Sequence, residues 1–138
     1  MIRWFVSLLL CLAAGLALAQ TVAAPKHRIA IQINEEDPKK WNSVLGSINN
    51  IRADLGKPAV AITVVAIGPG LGMLTADSLV ANRVEDALAE GVRFVACGNS
   101  MAAMKLEADD LLKGVAVERA GYVSLMRLQE AGWTYLRP

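Results

Sequence analysis

Histidine and cysteine are nearly absent: the 138 residues hold one histidine, His27, and two cysteines, Cys11 and Cys97. A single histidine excludes a histidine-rich metal centre, and two cysteines exclude a disulfide framework. Charge of one sign is also lacking, with 14 Lys+Arg against 13 Asp+Glu. A nucleic-acid partner would meet a basic face, so none is expected; an acidic disordered tail is excluded on the same balance. No internal repeat, low-complexity tract or linker interrupts the chain. Its length suits one hydrophobic core and leaves little room for a second. What remains is a small single-core domain whose function hangs on few polar residues.

The first feature present is an apolar leader. Met1-Ile2-Arg3 carries one positive charge, and an almost unbroken apolar run follows to Ala17-Leu18-Ala19. That small-x-small ending is the pattern a signal peptidase reads. Residues 1–19 are therefore expected to be a cleavable signal peptide, and residues 20–138 a single α/β domain delivered to the periplasm. The run is shorter than the roughly 20 residues a bilayer span needs, so no stable membrane insertion is expected after cleavage. Leu10 stands before Cys11 where a lipoprotein needs a small residue, which argues against lipidation. Cleavage removes Arg3 and Cys11 and leaves equal numbers of basic and acidic residues. Cys97 is then alone. In an exported chain a lone thiol is buried and inert, paired with another chain, or reactive.

Strand and helix patterns alternate along the rest. Isoleucines at 29, 31 and 33 give a period-two strand over Arg28 to Asn34. Asp37 and Pro38 make a helix start, and Trp41, Val44, Leu45, Ile48, Ile51 and Leu55 follow at spacings of three and four until Gly56. Ala59 to Ile67 is a continuous apolar run of the kind buried on both faces of a parallel sheet. After Gly68-Pro69-Gly70-Leu71-Gly72, the spacing predicts a helix over 75–90 with Leu79, Val80, Val84, Ala87 and Leu88 on its apolar stripe. Val92 to Cys97 reads as a third strand, followed by a short helix capped by Asn99 or Ser100 and running through Leu106. Gly114 to Val117 reads as a fourth strand. A helix around Tyr122 to Leu128, stopped at Gly132, and a closing strand over Trp133 to Arg137 complete the chain. This alternation specifies an open three-layer α/β sandwich, flavodoxin-like in kind, with a mostly parallel sheet and helices on both faces.

In such sheets function gathers beyond the carboxyl ends of the strands. Two loops qualify: the glycine-rich one at 68–72 and the one opening at Cys97. A thiol at a helix N-terminus meets unpaired N–H groups and the positive end of the helix dipole, both of which favour thiolate. Gly98 permits close backbone approach, and Asn99 and Ser100 are placed to donate to a sulfur anion or to cap the helix. Against this, cysteine is among the most buried residue types and Val92 to Ala96 is a core strand. Spacing alone does not separate a reactive thiol from an inert one.

Three segments carry a resemblance. Gly91-Val92-Arg93-Phe94-Val95-Ala96-Cys97-Gly98-Asn99-Ser100-Met101 resembles the strand-and-cysteine segment of the DsrE/DsrF-like sulfur-relay family. Gly121 through Leu128 and on to Trp133-Thr134-Tyr135-Leu136-Arg137-Pro138 resembles its final helix and closing strand, and the Val64 to Gly72 strand and loop also fit. The resemblance implies a flavodoxin-like core, homo-oligomers (trimers or hexamers), a sulfur donor or acceptor protein as partner, and Cys97 as the persulfide-carrying, catalytic residue. Some relatives read Cys-x-x-Cys here, whereas this chain reads Cys97-Gly98-Asn99-Ser100. A hydroxyl replaces the second sulfur, so dithiol chemistry within the loop is excluded and monothiol sulfur transfer is the expectation.

Other readings compete. Gly70, Gly98, Asn99 and Ser100 form a candidate substrate or anion site around Cys97, with Gly68-Pro69-Gly70-Leu71-Gly72 either an anion-binding nest or a tight turn. Met101 and Met104, with Met73, offer soft ligands for Cu(I), although methionine at helical spacing is usually core filler. A non-catalytic oligomer that binds a small thiol or anion is the main alternative to sulfur transfer. His27 reads as a solvated residue before the first strand, Glu35-Glu36-Asp37 as charge complementing a helix dipole, and Asp109-Asp110 as a cap or turn. Trp41, Trp133 and Tyr135 read as packing or subunit contacts. No resident metal and no cofactor are expected.

Overall fold

The structure, a computed structural model, describes residues 23–138. The expected leader over residues 1–19, with Cys11, lies outside the described residues. Five strands alternate with four α-helices: β1 (His27–Ile33), α1 (Pro38–Leu55), β2 (Val60–Ala66), α2 (Ala81–Ala89), β3 (Arg93–Cys97), α3 (Gly98–Met104), β4 (Ala116–Glu118), α4 (Gly121–Glu130) and β5 (Thr134–Leu136). All strand pairings within the sheet are parallel, in the order β4-β3-β2-β1-β5. The fold is therefore the α/β sandwich expected, with a sheet that is wholly parallel.

The chain steps outward from β1 to β4, then returns across the whole sheet to place β5 beside β1. That return dictates the layers. Helices α1, α2 and α3 lie on one face, where Ile29, Ile31, Ile33, Val64 and Phe94 meet Trp41, Val44, Ile48, Val84 and Met101. The alternate strand residues Ala30, Val65, Val95 and Cys97 point to the other face, where α4 covers them through Leu125 with Leu128 beside it. Period-two alternation thus assigns Cys97 to the face covered by a single helix.

The expected start of α1 is present: the Asp37 side chain accepts from the backbone N–H groups of Lys39 and Lys40, with Pro38 at the first helical position. Three boundaries differ most. Residues 68–74 form a 3-10 helix, and Thr75 to Val80 are turns tied by Ser78 N–H to Thr75 and Ala81 N–H to Ser78, so α2 starts only at Ala81. Leu79, expected on the buried stripe, is 83% exposed as a result. Helix α3 starts at Gly98 with Cys97 itself as the N-terminal boundary residue, because β3 runs into it with no loop between. Strand β4 is shifted to Ala116–Glu118, since Gly114 turns the chain at a φ of 97° before it. Among the described residues no helix is long and apolar enough to cross a membrane.

Candidate functional site

Cys97 ends β3 and is 4% exposed. Its Sγ accepts a hydrogen bond from the backbone N–H of Gly121 at 3.2 Å, the first residue of α4. The sulfur therefore lies between the starts of two helices, α3 following it in the chain and α4 returning over it. Neither helix has a side-chain cap at this end. Ser100 completes the arrangement. Its Oγ accepts from the Gly68 N–H at 2.8 Å, which leaves the hydroxyl hydrogen free to donate. Burial pushes the thiol pKa up. The Ser100 hydroxyl, then the N–H groups of Gly121, Ser100 and Asn99, outweigh that penalty and hold the pKa below its ordinary value.

Gly121 is required at its place by close contact. A Cβ there would come within 2.7 Å of Ile67 Cγ1 and 3.1 Å of Cys97 Cβ. Nothing in the local pattern announced its role, because 24 residues separate it from the sulfur it touches. The only sign available was a helix opening on glycine with no Ser, Thr, Asp or Asn before it.

The four proposed binding residues are placed differently from one another. Ser100 accepts from Gly68 through its hydroxyl, which also helps to hold the thiol pKa low. Asn99 lines a neighbouring cleft, and its backbone N–H bonds the Arg119 carbonyl at 2.9 Å. Gly98 does permit a close approach, but by this chain's own backbone: a Cβ would sit 3.3 Å from Arg119 Cα. Gly70 is buried against β1, where a Cβ would run into the Ile33 carbonyl, and its N–H is shared between Asn34 O and Ile67 O. Its donor is thus engaged within the fold and is not turned to an anion. In this loop it is Gly68, by positioning Ser100, that serves the sulfur.

The methionine set is divided by the sheet. Met73 and Met101 are buried in the larger core on the face opposite Cys97, while Met104 is exposed. They do not converge with the thiol as a soft-metal site would require. His27 begins β1, instead of preceding it, and stands at the strand's amino end, so it forms no His–Cys pair. Glu35 pairs with Lys40 and Arg137, Asp110 accepts from the Glu107 N–H in a 3-10 turn, and Trp41 is buried with its indole N–H on the Glu35 carbonyl. Trp133 packs at the edge of the smaller core, and Tyr135 donates to Gln32.

Beside the thiol, Glu118 is its register partner on β4. The Ser124 hydroxyl and the Arg93 guanidinium, 2.7 Å away, both hydrogen-bond its carboxylate and hold its pKa below the usual range. An open cleft of about 840 Å³ lies here, lined among others by Arg93, Asn99, Glu118, Arg119, Ala120 and Arg127. These arginines escaped the sequence reading, although the alternation Arg93, Val95, Cys97 already places one on the face of the thiol.

A family model described as the DsrE/DsrF-like family matches residues 13–138. Among solved structures, a protein of unknown function from Methanobacterium thermoautotrophicum, MTH1491, is 37% identical with a TM-score of 0.78, covering 81% of this chain and 99% of its own. The ychN protein of E. coli is 15% identical, with a TM-score of 0.67 over 81% of this chain and 99% of that one. BT1422 of Bacteroides thetaiotaomicron is 16% identical, with a TM-score of 0.66 over 80% and 94%. These last two attest the fold alone. No curated protein matches the chain.

Proposed function

Since the chain belongs to the DsrE/DsrF-like family, we propose that it is an exported monothiol sulfur carrier in which Cys97 is loaded as a persulfide. The observation that carries this reading is the Gly121 N–H bonded to Cys97 Sγ at 3.2 Å, at the uncapped start of α4. Donors fixed in advance stabilise an anion without reorganising, whether that anion is the thiolate or the persulfide that replaces it. The thiolate attacks a sulfane sulfur on a donor, the donor's own bond to that sulfur breaks with its electron pair leaving on the donor, and the sulfur is held as Cys97–S–S⁻. An acceptor thiol or sulfite then takes the outer sulfur. No general base is required once the thiolate is formed.

The same reading includes a homo-oligomer, with a donor or acceptor protein as transient partner, working in the periplasm after loss of residues 1–19. Tyr122, Val123 and Met126 on the outer side of α4 are exposed apolar residues, which is consistent with assembly through this face. Light scattering of the protein lacking residues 1–19 checks this: a trimer or hexamer is the expected result, and a monomer would contradict it.

The central test is the rate of Cys97 alkylation by iodoacetamide from acid to alkaline pH, followed by intact mass after exposure to polysulfide. Fast alkylation with a low midpoint and an added sulfur, both lost in Cys97→Ser, are the expected results. The burial of Cys97 favours one competing reading, a non-catalytic oligomer that binds a small thiol or anion. A thiol that reacts only after unfolding would establish that alternative in its place.

A further inference from the structure

The open cleft beside Cys97 has an uneven charge. Arg93 is neutralised by Glu118 at 2.7 Å. Arg119 and Arg127 also line the cleft and make no ion pair among the described residues. Three arginines and a single carboxylate, Glu118, therefore line one cavity, in a chain whose basic and acidic residues otherwise nearly balance. Their guanidinium groups are the side chains best suited to planar oxyanions, which they grip through paired N–H donors. The wall of the cavity comes within one residue, along the chain, of the sulfur's own supports. Asn99 and Ala120 are in its wall, and each adjoins a residue whose groups bond or flank Sγ: Ser100 for one, Gly121 for the other.

We infer that this cleft binds a small sulfur dianion of the thiosulfate class, with Arg119 and Arg127 holding its oxyanion end and Cys97 attacking its sulfane end. The inference rests on the sulfur-carrier reading and names its donor. Three arginines against one carboxylate leave the lining with two positive charges in excess, which match a dianion, and about 840 Å³ accommodates that ion with some of its hydration. The step balances without a further reactant. The Cys97 thiolate forms a bond to the outer sulfur of thiosulfate, the S–S bond of thiosulfate breaks, and sulfite departs with that electron pair. One monoanion and one dianion enter, and a persulfide monoanion and a dianion leave. No proton moves and nothing is oxidised overall. Arg119 and Arg127 face the charge that grows on the departing sulfite, so they serve the transition state as well as binding.

The test compares the protein lacking residues 1–19 with its Arg119→Gln/Arg127→Gln double variant. Each is offered thiosulfate or elemental sulfur in acetone, an uncharged sulfane donor, and sulfur loading is followed by intact mass. Both proteins should load alike from elemental sulfur, while the double variant loads from thiosulfate about tenfold more slowly or worse. Equal thiosulfate rates in the two would overturn the assignment. Loading of the parent protein by elemental sulfur but not by thiosulfate would overturn it too, and would leave the carrier reading standing. Loading from neither donor would instead remove the carrier reading. Calorimetric titration of Cys97→Ser with thiosulfate then decides for the cleft itself: binding that vanishes with the two arginines supports the site, and no binding refutes it.

Discussion

On one face of the sheet three helices enclose a cluster of 23 buried apolar residues, whereas on the other a single helix of ten residues helps bury six. The polar interior is distributed the opposite way. Gln32, Thr63 and Ser124 are buried on or under the α4 side, with Glu118 and Cys97 beside them. On the thicker side the buried polar group is Arg52, clamped by the carboxylate and carbonyl of Glu90. The thick face supplies hydrophobic stabilisation; the thin one gives up area and gains donors, charges and an opening. A return helix that crosses five strands alone leaves clefts on either side of it, and the site lies where its first N–H reaches the sulfur.

The contrast is most open to refutation in the cores. Phe94 is fully buried in the thick face and Leu125 is 2% exposed in the thin one. Phe94→Ala should cost about 4 kcal/mol, while Leu125→Ala, flanked by clefts into which neighbours can relax, should cost about 2 kcal/mol. Urea denaturation with unchanged slopes measures both. Equal losses would mean that the one-helix face is as tightly packed as the other.

Gly121→Ala follows in size. Its added methyl cannot coexist with Ile67 Cγ1 at 2.7 Å, so the start of α4 must move away from the sheet. A stability loss of about 2 kcal/mol is expected. The thiol should also lose its Gly121 donor, and the alkylation midpoint of Cys97 should rise. A fall in stability with an unchanged midpoint would show that the sulfur does not depend on this helix. Ser100→Ala is milder, about 1 kcal/mol, because it leaves the Gly68 N–H without its acceptor. Here again the alkylation midpoint should move upward, and a constant midpoint would remove Ser100 from the site.

Much of the thick face was legible in the sequence, for a physical reason: its contacts follow local periodicity. Isoleucines at 29, 31 and 33 and the three-and-four spacing of α1 each report one face of one element. The thin face is written in relations between distant segments. Cys97 stood out because it is the lone thiol at a strand end, but Gly121 acquires its meaning only when α4 has crossed the sheet. Gly70 and Gly68 show the same limit from the other side. Glycines in a loop look alike in sequence, yet one lets backbone pack on Ile33 and the other orients Ser100. The late start of α2 was hidden because Leu79 and Val80 continue its apolar spacing through what are in fact turns.

The smallest expected effect separates the faces by pH. The folded Cys97 thiol titrates below its unfolded counterpart, which lies at about 8.5. Below the folded pKa both states keep the proton and no stability is gained. Between the two values the folded state has released a proton that the unfolded state still binds, so stability rises with pH. The gain is complete above the unfolded value and is lost as pH falls through the folded one. The carboxylate of Glu90, on the Arg52 side, is held low first by its hydrogen bond from Lys57 and then by the charges of Lys57 and Arg52. Its contribution is present above the unfolded carboxylate value of about 4.3 and disappears with further acidification. Melting temperatures of the parent protein and Cys97→Ser should therefore diverge as pH climbs from neutral toward 9, whereas those of the parent and Glu90→Gln should converge as pH drops below 5. A thiol variant whose melting difference stays flat across the alkaline range would show that the two helix starts leave Cys97 an ordinary cysteine.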